Sequence, residues 1–392
     1  MRFAASILVL LSTLLQSCVG STNNSSSREF SSLNDTVLLE TYRVKGSGIF
    51  SLGAGFLTLE DTNHLFSYPI RYPERISDVK GAHLPTDFIS PEQDYMDILV
   101  GQIEGREVYV VDQNDNQDFT DDSIRILQPI DWKSSNHSVA SVVRVYSGAS
   151  IVQDTSWVRV GLVGDNVLYS RDEHLEAELL FNNHRLTLGL IDEPSVSVFT
   201  YDIAPQVGIL SIDSAYKESM RQSEMYGLGE YLPLDSTYYR FDSLARDGSQ
   251  IILVKEVDFD KQYGTQVGML APHFTGVSLE GDTLESSKLL KKPLVIANSC
   301  GCGGDVESTQ AVEEIVSKYG SGIHTLHLDH RLENSNADWG IDVSDPYNEE
   351  INKVYRGQYC SRTAYLVGVN NRIVDKFNVM DWEIALSSLM RD

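Results

Sequence analysis

The loop that decides the fold of this chain lies in residues 294–305, which read LVIANSCGCGGD. The segment begins with a short apolar run typical of a buried strand, and glycines end the run. Downstream, apolar residues from Val312 to Tyr319 recur at i, i+3, i+4 and i+7, which predicts an amphipathic helix. Cys300 and Cys302 therefore lie between a buried strand and a helix N-terminus, a place that stabilises a thiolate.

Strand and helix patterns alternate around this loop. The residue patterns predict strands at 323–328, 363–367 and 372–377, a short helix at 351–355 and a closing helix at 382–390. Asn370-Asn371 predicts the hairpin turn between the last two strands. This order of elements is typical of an α/β domain.

Four segments of this region, in this order, resemble the thioredoxin/peroxiredoxin (redoxin) family. Residues 267–274, VGMLAPHF, are similar to the family's opening VGxxAPdF, and residues 279–284, LEGDTL, to its LdGkxv hairpin. Residues 365–374, YLVGVNNRIV, resemble its fLIDxxGxIv strands, and Asp381-Trp382 precedes the last helix in a similar way. The resemblance implies a thioredoxin-like α/β domain over residues 265–392.

The cysteine loop departs from the family's pattern. Cys300-Gly301-Cys302 stands in place of Cys-x-x-Cys, and Arg362 stands at the position of the family's cis-proline. Peroxiredoxins often have an arginine there, which stabilises the cysteine thiolate. In the redoxin fold, the loop before the TxfLI strand lies against the cysteine loop. The resemblance therefore implies that Cys360 and Arg362 lie near Cys300 and Cys302, and these four residues are the candidate catalytic site.

The predicted activity is thiol–disulfide exchange on protein or small-molecule disulfides, with no organic cofactor. Cys300 or Cys302 would be the nucleophile and another of the three cysteines would resolve the mixed disulfide; the sequence does not choose between them. One alternative is a non-catalytic binding or structural lipoprotein with a degenerate thioredoxin-like domain. A further alternative is copper or zinc handling by the three thiols.

Histidines near the second strand bear on the metal alternative. His324 and His327 are three residues apart, so they point to opposite faces of a strand. His327 and Asp329 share one face, which is more often a packed or solvated pair than a metal site. His330 follows the strand, and only the Cys-x-Cys spacing suits a metal.

The first residues of the sequence predict export and lipidation. Arg2 is followed by a short apolar run that is too short to span a bilayer as a helix. The run ends in Leu15-Gln16-Ser17-Cys18, which resembles the lipobox of bacterial lipoproteins. We expect a signal peptide over 1–17, two or three acyl chains on Cys18 and a polar tether over 18–36. The predicted location is the cell envelope, anchored in a membrane and facing the periplasm or the surface.

The middle of the chain is predicted to be β-rich. Short alternating or apolar runs recur about every ten residues from Glu40 to Val254, separated by glycine, asparagine and aspartate. We expect one or two antiparallel β-modules, divided into residues 37–150 and 151–264. The segment from Ser214 to Tyr226 is the exception and is interpreted as a helix.

An acidic loop follows the run Val108–Val111. Its candidate ligands have oxygen side chains spaced like the first half of a calcium loop, and they are Asp112, Asn114, Asn116, Asp118 and Asp121. Gln117 replaces the glycine at position 6 and Ser123 the glutamate at position 12. A structural Ca²⁺ site and a polar hairpin turn are both compatible with this pattern.

The net charge of the chain is -25. Such an excess of acidic residues disfavours nucleic acid and anionic lipid surfaces as partners. The predicted activity and lipid anchor imply the remaining partners, which are disulfide-bearing substrates and the membrane that holds the anchor.

Overall fold

The computed structural model describes residues 29–30, 35–50, 53–89, 94–132, 134–192, 198–300, 306–356 and 362–387. The predicted signal peptide, Cys18, most of the tether, Cys302 and Cys360 lie outside the described residues. All bounds given below refer to the described parts of the chain.

Short strands form most of the part before residue 257. In chain order they are β1 (Glu29–Phe30), β2 (Thr36–Glu40), β3 (Tyr42–Lys45), β4 (Gly55–Phe56), β5 (Glu60–Asp61), β6 (Ser77–Pro85), β7 (Tyr95–Ile103), β8 (Arg106–Val111), β9 (Arg125–Ile126), β10 (Val139–Tyr146), β11 (Ile151–Val163), β12 (Asn166–Arg171), β13 (Glu173–Phe181), β14 (His184–Ile191), β15 (Gln206–Ile212), β16 (Ala215–Tyr216), β17 (Tyr226–Gly227), β18 (Tyr231–Leu234), β19 (Thr237–Leu244) and β20 (Gln250–Glu256). One short helix, α1 (Thr62–Leu65), follows β5.

These strands form two packed pairs of sheets. In the first sandwich, the sheet β5-β6-β7-β8-β9 packs on the sheet β10-β11-β12-β4. In the second sandwich, the sheet of β13, β14 and β15 with their neighbours packs on the sheet β18-β19-β20-β2. Almost all of this pairing is antiparallel, which confirms the β-rich character predicted for this part of the chain.

The pairing crosses the predicted boundary at residue 150. Strands β10 and β11 form one hairpin across it, with Tyr146 opposite Ile151. Strand β2 pairs with β20 and β3 with β13, so the first strands of the chain join the second sandwich. The sequence could not reveal this because these partners lie far apart along the chain. The exact division into domains stays a prediction.

The helix predicted over Ser214 to Tyr226 is wrong. Asp213 and Ser214 take positive φ angles of 50° and 67°, which turn β15 back into β16. A 3-10 turn, Gln222–Glu224, then precedes β17. Met220 and Met225 pack against the buried Phe50 and Leu210, so tertiary packing rather than a helical period explains these apolar positions.

A mixed sheet organises the last part of the chain. Its strands and helices are β21 (Thr275–Val277), β22 (Thr283–Glu285), α2 (Ser286–Leu289), β23 (Leu294–Asn298), α3 (Val306–Tyr319), β24 (His324–Asp329), β25 (Trp339–Asp342), α4 (Glu349–Ile351), β26 (Thr363–Val367), β27 (Ile373–Asn378) and α5 (Trp382–Ala385). Short 3-10 turns lie at Phe259–Lys261, Pro346–Asn348 and Val379–Asp381, and a π-helical turn lies at Asn352–Arg356.

The strand order of this sheet is β25-β24-β23-β26-β27. Strands β23, β24 and β25 are parallel, whereas β26 runs antiparallel to β23, and β27 antiparallel to β26. Leu294 and Ile296 face one core, and Val295 and Ala297 face the other, beside α3. The sheet is therefore covered on both faces, which explains why its central strand is apolar without alternation.

The predicted strands of this region are confirmed, with bounds that differ by one residue at most. The predicted Asn370-Asn371 turn is also confirmed: Asn371 has a φ of 60° and its N–H donates to the carbonyl of Gly368. The closing helix ends at Ala385 and is followed by a helical turn to Ser387; the predicted continuation to 390 lies outside the described residues.

Candidate functional site

Cys300 lies at the carboxyl end of the central strand. All five residues of β23 are buried, and Cys300 follows two residues later, half-buried. Cys300 is disulfide-bonded, and the other three cysteines of the chain lie outside the described residues. Helix α3 begins at Val306, so this cysteine precedes a fourteen-residue helix, as the sequence predicted.

Arg362 lies beside the start of α3. Its Nη2 is 3.8 Å from Oε2 of Glu307, which is in the first turn of the helix. The backbone of Arg362 is fixed because its carbonyl accepts the N–H of Val379 at 2.7 Å. The guanidinium therefore stands at the helix that follows the cysteine loop. A role of Arg362 in stabilising a thiolate stays a prediction.

A buried polar cluster supports the residue that precedes Cys300. Ser299, which is fully buried, contacts His327 and Asp329 of the neighbouring strand β24. Its Oγ is 2.7 Å from Nε2 of His327 and donates a hydrogen bond to Oδ2 of Asp329. We call Ser299, His327, Asp329 and Arg356 the buried network.

The directions of these hydrogen bonds fix the tautomer of His327. Ser299 donates its only hydroxyl proton to Asp329, so its Oγ must accept from Nε2–H of the imidazole. The other ring nitrogen, Nδ1, then accepts from Oγ of Ser335 at 2.9 Å. A neutral imidazole satisfies the whole chain of hydrogen bonds, from half-buried Ser335 to the carboxylate.

Arg356 connects the buried network to the backbone of the cysteine loop. Its Nη1 donates to the carbonyl oxygens of Ser299 at 2.8 Å and of Leu328 at 3.3 Å, and its Nη2 lies 3.2 Å from Asp329 Oδ1. Burial lowers the pKa of this guanidinium, and the charge of Asp329 opposes that shift. Arg356 ends the π-helical turn, a local irregularity often found at functional sites.

Asn298 ties three elements together beneath the site. Its Nδ2 donates to the carbonyl of Tyr355 at 3.0 Å and to that of Thr363 at 2.6 Å. The end of β23 is therefore held to the π-helical turn on one side and to the start of β26 on the other. This arrangement fixes the backbone on both sides of the segment that contains Cys360.

The buried trio of Ser299, His327 and Asp329 differs from a hydrolase triad. In such a triad the histidine accepts the serine proton and the carboxylate orients the histidine. Here the hydroxyl lies between the imidazole and the carboxylate and donates to the carboxylate directly. Ser299 is also inaccessible to a substrate, with 0% of its surface exposed. The trio is therefore a support for the neighbouring cysteine.

Protonation of His327 is expected to destabilise the fold. Burial lowers its pKa from 6.5 to about 4, the nearby Arg356 acts in the same direction, and Asp329 opposes the shift. The unfolded chain therefore binds this proton more tightly, and stability is lost as the pH falls below 6.5. We expect a loss of about 2 kcal/mol between pH 7 and 5.

The comparison of wild type with His327→Gln, by hydrogen exchange of the sheet amides at both pH values, measures this contribution. The glutamine variant should lose this part of the pH dependence. His324→Gln, on the opposite face of the same strand, is the matched control and should keep it. Equal pH dependence in wild type and in His327→Gln would contradict the assignment.

The acidic loop after β8 is folded on its own polar groups. The buried Asp112 accepts the N–H groups of Asn116 at 3.2 Å and Gln117 at 2.7 Å. Asp121 Oδ2 accepts the side-chain amides of Asn114 and Asn116 at 3.2 and 3.0 Å. Asn116 Oδ1 and Asp118 Oδ1 accept the N–H groups two residues later. The last two contacts form Asx turns, and calcium binding at this loop stays a prediction.

Metal-ligand geometry is lacking in the described parts of the chain. No group of three or more histidine, cysteine, aspartate or glutamate side chains there is arranged to hold a metal ion. His324 pairs with Asp338 at 3.2 Å and its ring lies 5.2 Å from that of Trp339, whereas His327 contacts Ser299 and Ser335, so the two histidines have different partners.

The sequence did not single out Ser299 or Arg356. Alternation along β24 placed His327 and Asp329 on one face, but it did not indicate what they contact. Arg356 follows the predicted short helix, and nothing in the spacing of the residues there indicates a functional role for it. The only available signal was the density of polar residues on a strand beside the cysteine loop.

The topology and the cysteine position together define a class. A βαβ unit continued by an antiparallel hairpin in the same sheet, with a cysteine between the first strand and its helix, is the arrangement of a thioredoxin-like domain. The chain contains a thioredoxin-like domain. Within its described residues, none of the helices has the length and apolar character required to cross a membrane.

Solved structures with similar folds cover about a third of the chain. The thioredoxin domain of a thiol-disulfide oxidoreductase from Bacteroides vulgatus is 16% identical, with 31% of this chain and 96% of that chain covered and a TM-score of 0.26. The exposed lipoprotein thioredoxin of Streptococcus pneumoniae is 18% identical, with 31% and 100% covered and a TM-score of 0.25. Yeast Sco1 with copper bound is 16% identical, with 31% and 89% covered and a TM-score of 0.25.

Sequence comparisons give no further assignment. No family model matches the chain. No curated protein matches it either.

Proposed function

We propose that this chain is a lipid-anchored, extracytoplasmic thiol–disulfide oxidoreductase whose thioredoxin-like domain comprises residues 265–392. The observation that carries the proposal is the disulfide-bonded, half-buried Cys300 between the central strand and α3. A cysteine at this place is both accessible and close to the positive end of a helix dipole, which favours the nucleophilic thiolate.

In the proposed reaction, the reduced protein attacks a substrate disulfide. The thiolate of Cys300 or Cys302 bonds to one substrate sulfur, the substrate S–S bond breaks, and the departing sulfur takes up a proton. A second cysteine of the chain then attacks the mixed disulfide and releases the other substrate sulfur as a thiol. The protein ends as a disulfide, the state of Cys300 in this structure, and a dithiol donor returns it to the reduced form.

The chain's own residues prepare this chemistry. Arg356 and Ser299 hold the backbone next to Cys300, and Arg362 adds positive charge beside the start of α3. Positive charge near a cysteine lowers the pKa of its thiol and increases the fraction of thiolate. Proteins or small molecules with disulfides are the proposed substrates.

The direct test is reduction of a disulfide by the purified full chain. We expect catalytic reduction of insulin disulfides with a dithiol donor, and a change in the number of titratable thiols after mild reduction. A disulfide that resists mild reductants and no insulin reduction would favour a structural or binding role for the domain. Purified protein that carries bound copper or zinc would instead support metal handling.

Lipid attachment at Cys18 is a separate prediction. Expressed in a bacterium that processes lipoproteins, the full chain should partition with membranes, since two or more acyl chains give stable anchoring. Cys18→Ser should move the protein to the soluble fraction, whereas Cys302→Ser should leave it with the membranes. Membrane association of Cys18→Ser equal to that of wild type would contradict the anchor.

A further inference from the structure

A large open cleft lies between the second sandwich and the mixed sheet. Its volume is about 990 Å³, at the upper end of the ~300–1,000 Å³ typical of ligand sites. One wall comes from the second sandwich and its 3-10 turn, with Phe50, Met220 and Gln222. The other wall comes from the mixed sheet, with Arg362, Thr363 and Phe377.

Two arginines that line the cleft also contact the surroundings of Cys300. Arg356, which also lines it, donates to the carbonyl of Ser299, the residue before Cys300. Arg362 lines the cleft and pairs with Glu307 at the start of α3. The cleft is therefore connected to the surroundings of Cys300 through these two arginines.

The two walls are joined by specific contacts. Gln222 Nε2 donates to Thr363 Oγ1 at 2.5 Å, at the start of β26. Glu230 and Lys376 form an ion pair at 3.0 Å, and the side chains of both are largely buried. The 3-10 turn Gln222–Glu224 is thus held against the start of β26, directly after Arg362.

The side chains that line the cleft carry a net positive charge, although the chain as a whole is acidic. The charged lining residues are Arg221, Arg356, Arg362, Lys376, Asp375 and Asp381, four basic and two acidic, whereas the whole chain has 31 basic and 56 acidic residues. Each of the four cations has a carboxylate partner within 4.0 Å. Arg221 is the most exposed of them, with 70% of its side chain accessible and its Nε 4.0 Å from Oε2 of Glu224. Acidic groups are the complementary ligands for such a surface.

The apolar part of the cleft suits varied side chains. Phe50, Ile191, Met220 and Met225 contribute apolar surface on the sandwich side. Methionine side chains are flexible and polarisable, so they adapt to differently shaped partners. This composition favours an extended polypeptide over one small molecule of fixed shape.

We propose that this cleft binds an extended polypeptide segment that carries a disulfide with acidic residues beside its cysteines. The inference rests on the proposed function and gives the second sandwich a role in substrate selection. The basic residues bind the acidic side chains, and the methionines contact the apolar ones. The segment lies along the cleft with its disulfide next to Cys300.

The test uses the charge reversal Arg221→Glu in the full chain. Two disulfide peptides of equal length are compared, one with aspartates and one with lysines beside the cysteines. Wild type should reduce the acidic peptide at least fivefold faster, and Arg221→Glu should remove most of this preference, as expected for one partly exposed charge pair. Lys261→Glu, with 70% of its side chain exposed and outside the cleft, is the matched control and should keep the preference.

Two further measurements separate this inference from the proposed function. Binding of the acidic peptide with its cysteines replaced by serines should weaken about fivefold in Arg221→Glu, independently of any redox activity. Reduction of a small neutral disulfide, bis(2-hydroxyethyl) disulfide, by the wild-type chain measures the redox activity without a peptide. If the wild-type chain reduces the neutral disulfide but reduces the acidic and basic peptides equally fast, the cleft assignment is overturned and the proposed function stands. Failure of all reduction, with peptide binding intact, would instead overturn the proposed function. A small anionic disulfide whose reduction slows as much in Arg221→Glu as that of the acidic peptide, with no binding of the peptide, would overturn the choice of a polypeptide.

Discussion

Cys300→Ser is expected to abolish multiple-turnover disulfide reduction, with the residual rate at the background of the dithiol donor alone. Cys300 is disulfide-bonded at the end of the central strand, so the proposed reaction uses it as either the nucleophile or the resolving group. Loss of the nucleophile prevents the first bond exchange. Loss of the resolving cysteine leaves the mixed disulfide without an internal partner. Steady-state reduction of insulin by the full chain measures the effect.

Single-turnover trapping distinguishes the two roles. If Cys300 is the resolving group, Cys300→Ser accumulates a mixed disulfide with the substrate, which a mass shift in non-reducing electrophoresis detects. If Cys300 is the nucleophile, Cys300→Ser forms no adduct at the active site, and either Cys302→Ser or Cys360→Ser traps it instead. Multiple turnover at the wild-type rate in Cys300→Ser would contradict the proposed mechanism.

Arg356→Met is expected to destabilise the mixed sheet by about 3 kcal/mol, because it leaves Asp329 buried with one cationic partner removed. The same change removes the donor of the Ser299 carbonyl, so the backbone before Cys300 loses a contact of 2.8 Å. Because the chain contains several sheets with separate hydrophobic cores, a single unfolding midpoint is a poor measure of the stability of one of them. Hydrogen exchange of the β23 and β24 amides measures the local free energy of opening.

A second variant tests whether the buried charge causes the loss. Arg356→Met combined with Asp329→Leu should recover part of the stability, since replacing both members of a buried pair by apolar groups is often close to neutral. Arg331→Met, an exposed arginine on the next loop, should change the local opening free energy by less than about 0.5 kcal/mol. A loss in the double variant equal to that in Arg356→Met would show that packing, and not the unpaired carboxylate, dominates.

The mixed sheet was accessible from the sequence because its signals are local. The apolar run of β23, the helical period of α3 and the Asn370-Asn371 turn each depend on residues close together along the chain. A strand buried on both faces is apolar at every position, so its sequence differs clearly from the alternating pattern of a half-exposed strand. These features predicted the element order, and the order limited the possible topologies.

The β-rich part was predicted in kind but not in arrangement. Alternation identified strands such as β10, whose buried and exposed residues alternate, yet it says nothing of which strand pairs with which. The pairing of β2 with β20 joins residues more than two hundred positions apart. The failed helix at Ser214–Tyr226 has the same cause, since Met220 and Met225 are apolar because of contacts with Phe50 and Leu210.

The sequence by itself determined the α/β order of elements and the place of Cys300 between a strand and a helix, because both follow from local periodicity and loop composition. The thioredoxin-like class was implied by the resemblance of four short segments to the redoxin family. Only the tertiary structure decided the surroundings of that cysteine. Ser299, His327, Asp329 and Arg356 meet because parallel strands β23 and β24 end at the same edge of the sheet, where the π-helical turn covers them. The cleft beside them exists because the second sandwich packs against the start of β26 through Gln222. Contacts between distant segments depend on the whole packing of the chain, which no single stretch of sequence encodes.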